Sequence, residues 1–90
     1  LHAYKPVDDR NLIVRVRIRP ELAQQVEEAG TFYMERIEQL EDGVIVTLRV
    51  RHIEEIVRWV LGWGAGATVL EPESLKQRIF DEAKQMLKCY

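Results

Sequence analysis

The chain is poor in the residues that build small disulfide, metal or nucleophile sites. Cys89 is the single cysteine among 90 residues, so no internal disulfide can form, which suits a reducing, cytoplasmic setting. His2 and His52 are far apart, with no second cysteine or suitably spaced carboxylate to complete a metal site. Ser74 is the only serine and has no nucleophile-elbow pattern around it. Glu54 and Glu55 are adjacent, which on a helix turns them to different sides and excludes a carboxylate pair. These absences argue against an enzyme and against a resident metal or cofactor. No apolar run approaches the roughly 20 residues of a membrane span, and no secretory leader pattern occurs. The formal net charge of −2 supplies no overall basic field for nucleic acid.

What the chain does have is clean periodicity. In residues 11–19, NLIVRVRIR, Leu12, Val14, Val16 and Ile18 alternate with Ile13, Arg15, Arg17 and Arg19, which predicts a strand with one buried face. Pro20 then stands where a helix accepts it, and Leu22, Ala23, Val26 and Ala29 share a face before Gly30 offers a stop. Residues 33–50 read as a hairpin turning at Asp42-Gly43. A two-residue turn there would set Ile37 opposite Leu48 and Arg36 opposite Arg49. Residues 52–62 have helical spacing, with Ile53, Ile56, Val57 and Val60 on one face. A short strand over 67–71 follows, and Pro72 opens a final helix over 72–89.

The order β-α-β-β-α-β-α predicts an α+β, ferredoxin-like βαββαβ sandwich. Its four-stranded antiparallel sheet would carry two helices on one face, with an extra C-terminal helix beyond. Residues 1–10, LHAYKPVDDR, lack periodicity, and the chain begins at Leu1 rather than Met. They are expected to be a linker from an upstream domain, with the folded domain over 11–90.

Three of the five glycines fall in LGWGAGATVLEPESL, residues 61–75. A phosphate-cradling loop needs a strand, then glycines, then a helix N-terminus. Here the glycines follow a helix and precede a strand, so Gly62 and Gly64 would meet the negative end of the helix dipole. No Lys-Ser or Lys-Thr pair follows them as in a P-loop. Left-handed caps at Gly62 and Gly64 in a tight helix-to-strand connection, with Trp63 folded over the core, are the expected use.

Two surfaces stand out. Arg15, Arg17 and Arg49 would share the open face of the sheet, joined by Arg36 across the hairpin, with Arg19 and Arg51 at its edges. Clustered arginines suit phosphate oxygens. Such a face could contact an anion, a nucleotide or single-stranded nucleic acid, or dock on another domain or subunit. It could equally be a solvated cover for the sheet. The last helix places Leu75, Ile79, Ala83, Met86 and Tyr90 in one stripe, widened by Phe80 and Leu87. That is more than one sheet edge needs, so either a partner covers Phe80 and Leu87 or the helix is fully buried.

The segment RWVLGWGAGATVLEPESLKQRI, residues 58–79, resembles the C-terminal extension, or WCX, domain of bacterial WYL-domain transcriptional regulators. The shared pattern is an aromatic-bearing helix, Leu-Gly-aromatic-Gly, a short strand, Leu-Glu-Pro and a Leu- and Arg-containing helix. VRVRIRPELA, residues 14–23, and RIEQLEDGVIVTLRV, residues 36–50, match the same family more generically. The resemblance implies a ferredoxin-like fold, upstream helix-turn-helix and WYL domains as partners, a homodimer, and a part in dimerisation and in the response to an anionic or single-stranded nucleic-acid effector. The DNA-reading helix and the WYL motif are not in this sequence, so their activities do not transfer to it. A stand-alone ferredoxin-like small-molecule sensor would want a glycine loop where this chain has Arg19-Pro20. A purely structural dimerisation module is the remaining alternative.

Overall fold

A computed structural model describes residues 10–90. The expected linker, Arg10 apart, and His2 with it, lie outside the described residues. The elements are β1 (Leu12–Ile18), α1 (Pro20–Ala29), β2 (Met34–Leu40), β3 (Gly43–Val50), α2 (Glu54–Gly62), β4 (Ala67–Glu71) and α3 (Glu73–Leu87). The strands form one antiparallel sheet in the order β2-β3-β1-β4. This is the βαββαβ sandwich with an added C-terminal helix. Pro72 caps α3 rather than opening it.

The period-two pattern becomes the core. Val14, Val16 and Ile18 of β1 and Val44, Val46, Leu48 and Val50 of β3 have no exposed surface. Val26 of α1, Ile56, Val57 and Val60 of α2, Val69 of β4 and Leu75 of α3 close over them. Ala29, expected on the inner face of α1, is exposed. No polar or charged side chain is buried among the described residues. The core is aliphatic, and its cohesion is hydrophobic burial worth about 25 cal/mol per Å² of apolar surface.

The hairpin turns one residue earlier than its sequence suggests. Glu41 and Asp42 form the turn and Leu40 pairs with Gly43, so Ile37 faces Val46 and Arg36 faces Thr47. The register moves by two positions, which leaves the side chains from Arg36 to Leu40 on the faces expected for them. Gly43 explains the choice. It takes φ +139, which side chains rarely adopt, and a Cβ there would collide with the carbonyl oxygen of Ile18 in β1.

The glycine connection after α2 is conformational, as its polarity implied. Gly62 is still helical, and Gly64 alone takes the left-handed φ, at +60. A short 3-10 turn over Gly64–Gly66 then leads into β4. Trp63 lies half-buried against the core, edge-to-face with Trp59 at 5.9 Å.

Candidate functional site: the open sheet face and the C-terminal helix

The helices leave one face of the sheet bare, and four of the expected arginines meet there. Arg15 and Arg17 come from the central strand β1; Arg49 comes from its neighbour β3, and Arg36 from the edge strand β2. Arg51 lies one residue beyond β3, where its backbone N–H donates to Glu55 Oε1 at 2.6 Å. It belongs to the rim of the face.

Carboxylates interleave with these arginines. Arg17 Nη2 donates to Asp42 Oδ2 at 2.6 Å, and Arg36 Nη2 donates to Glu38 Oε1 at 2.9 Å. Arg49 is paired with Glu35. Arg15, half-buried, stands opposite Thr47 on β3 and Glu71 on β4. The hydrogen bond from Arg36, then its charge and that of Arg15, hold the Glu38 carboxyl below its ordinary pKa. The face is therefore a mosaic of both signs rather than a basic tract.

Strict alternation would have turned Glu35 into the core, and a β-bulge prevents it. Between Met34 and Arg36 the register against β3 shifts by one residue, so Met34 faces the buried Leu48. The extra residue, Glu35, pairs with Arg49 on the open side. An unpaired carboxylate on the inner face would be far costlier than one skewed ladder position. A second bulge, opposite Arg15 and Val16, leaves Leu70 outside the regular pairing of β4.

The second surface is α3. Its first turns are held in place: Leu75 is fully buried and Ile79 packs against the core. Arg78 donates from Nε to Glu54 of α2 at 2.8 Å and from Nη1 to Glu82 at 2.7 Å. These two carboxylates raise the Arg78 pKa further above its already high value. Beyond Ile79 the helix loses its apolar cover. Phe80 is 59% exposed and Leu87 is 75% exposed, and Met86 and Tyr90 are exposed on the same side. Ala83, Met86, Leu87 and Tyr90 line one shallow apolar depression of about 350 Å³. Phe80, Ile79 and Ala83 line another of about 330 Å³ against β4.

Among the described residues, no group of three or more His, Cys, Asp or Glu is placed to hold a metal ion. No helix among them is long and apolar enough to cross a membrane. The four-stranded antiparallel sheet, the helices on one of its faces and the added C-terminal helix define a ferredoxin-like α+β domain. The family model for the WCX domain matches residues 10–87. The chain belongs to that family, the C-terminal extension of WYL regulators, a regulator-associated domain with no known catalytic role. Comparison with curated proteins gives no match.

Proposed function

We propose that this WCX domain is the pairing and docking element of a WYL-type transcriptional regulator. In this reading α3 joins two copies of the chain. The open sheet face rests on the neighbouring WYL domain, so that an effector signal reaches the helix-turn-helix domain through a rigid frame. The observation that carries the reading is the uncovered distal half of α3.

A second copy fits that half chemically. Along its exposed length the acid Asp81 comes first and the bases Lys84 and Lys88 follow. An antiparallel pair would set the acidic end of each helix against the basic end of the other. Ala83, at the middle of the stripe, lets the two backbones approach closely. Burying Phe80, Met86 and Leu87 would supply the apolar centre that a stable interface needs.

The mosaic on the open face supports docking to a protein over tracking a polyanion. An extended nucleic-acid strand would run past three carboxylates, Glu35, Glu38 and Asp42, each repelling its phosphates. A protein surface can instead match both signs in register.

Sedimentation velocity over a dilution series tests the pairing. The wild-type chain is expected to shift from dimer to monomer on dilution. Phe80→Glu and Leu87→Glu should be monomeric throughout, with unchanged far-UV circular dichroism. A wild type that is monomeric at every concentration, or variants that still dimerise, would overturn the reading.

A further inference from the structure

One corner of the open face, at the opposite end of β1 from the Arg49–Glu35 pair, differs in construction from the rest of the mosaic. It is a cleft of about 490 Å³, walled by Arg17, Arg19, Pro20, Asp42, Thr68 and Leu70, with Gly66 at its back. A volume of this order suits a small molecule. The sheet assembles it from three places. Antiparallel pairing sets Arg17 of β1 beside Thr68 of β4. The end of β1 brings Arg19 to the rim, where its backbone N–H donates to the Gly66 carbonyl at 2.9 Å and pins the corner. The β2–β3 turn contributes Asp42.

The cleft has more cationic donors than its own acid can use. Asp42 accepts one bond from Arg17, through Nη2 alone. Arg19 is exposed and has no ion pair among the described residues. Each guanidinium carries five N–H donors in a planar fork, and Thr68 adds a hydroxyl. Arginine forks match the oxygens of a phosphate, which can accept from both at once. The Arg17–Asp42 pair is open to water, with the two side chains 46% and 70% exposed. Such pairs are weak and easily exchanged. Pro20 and Leu70 form an apolar wall beside the charges, against which the organic part of a ligand can lie.

We propose that this cleft binds a phosphomonoester. The phosphate sits between Arg17 and Arg19 and displaces Asp42 from Arg17, while the attached sugar or ring packs on Pro20 and Leu70. The site does not depend on how α3 is covered.

The test is a titration of the ¹⁵N-labelled chain followed by NMR, with inorganic phosphate, ribose 5-phosphate and AMP as probes and sodium chloride as the ionic-strength control. Both organic phosphates should cause saturable shifts centred on residues 17–19 and 66–70. Arg19→Ala should weaken them about tenfold, the scale of one lost charge-assisted hydrogen bond. Asp42→Asn should bind more tightly, because it removes the competing anion, and a damaged fold cannot mimic a gain. Tighter binding of AMP than of ribose 5-phosphate points to a nucleotide as the source, and equal binding to a sugar phosphate. Inorganic phosphate binding as tightly as both would overturn the phosphomonoester assignment. Shifts that chloride reproduces, or an affinity that Asp42→Asn leaves unchanged or lowers, would overturn the site.

Discussion

The two halves of α3 share one apolar period and meet opposite fates. Leu75 and Ile79 pack into the core where α3 meets α2 and β4, and Leu75 has no exposed surface. Phe80 and Leu87 continue the stripe largely in solvent. The cause is length. α3 has 15 residues, about 22 Å at 1.5 Å per residue, whereas α2 beside it has 9, about 13 Å. The helix outruns what the domain can place against it. Periodicity therefore shows that a face exists and says nothing about what covers it.

The sharpest way to break this comparison is to cut one large side chain from each half. Leu75→Ala should lower the unfolding free energy by about 2–5 kcal/mol, through lost burial and the cavity left behind. Leu87→Ala, measured where the chain is monomeric, should stay within about 0.5 kcal/mol of wild type. Urea unfolding of both variants decides it. Equal losses would mean that the distal half already has cover within a single chain.

Arg78 stands at the boundary between the halves, and its removal should have a smaller effect. It bonds Glu54 on α2 and Glu82 one turn further along α3. Arg78→Ala should therefore speed amide hydrogen exchange in the distal turns more than in the turn around Leu75, since burial anchors only the latter. High salt should reproduce part of the effect in the wild type by screening the same pairs. A uniform rise in exchange along the helix would show that the two halves open as one unit.

Most of the frame could be read from local pattern, because one buried face imposes period two on β1 and β3 and period 3.6 on the helices. What escaped was set by contacts between distant elements. The turn falls at Glu41-Asp42 because Gly43 must pass the Ile18 carbonyl, a tertiary demand that the dipeptide Asp42-Gly43 does not reveal. The placement of Arg15, Arg17, Arg36 and Arg49 on one face was legible from alternation, since all four keep that face in the sheet. Glu35 was not, since only a bulge carries it to Arg49, although a carboxylate at a nominally inward position is itself a signal that a strand must skip a step. Asp42 reaches Arg17 through the sheet, and Arg19 joins the cleft through Gly66. The stripe with Phe80 and Leu87 was visible in the spacing, whereas its exposure depends on the relative lengths of two helices.

The smallest effect concerns the element that covers the proximal half. The Glu55 carboxylate reaches back to the start of α2 and accepts the backbone N–H groups of Arg51 and His52, at 2.6 and 3.2 Å. These bonds, with the nearby positive charge, hold its pKa below the ordinary carboxylate value. A depressed folded-state pKa gives stability that is fully present above the unfolded value, near 4.3, and is lost as pH falls through the folded value. The chain should therefore melt at lower temperature as the pH drops below about 4. Glu55→Gln should melt lower at neutral pH and lose less than wild type on acidification. The proximal turns of α3 should follow, because α2 is their cover, while the distal turns should not respond. Thermal melts of both proteins across this pH range, with exchange read separately at Leu75 and Leu87, check it. Acid loosening of the distal half in step with the proximal half would show that the start of α2 governs all of α3, and the division between its halves would no longer hold.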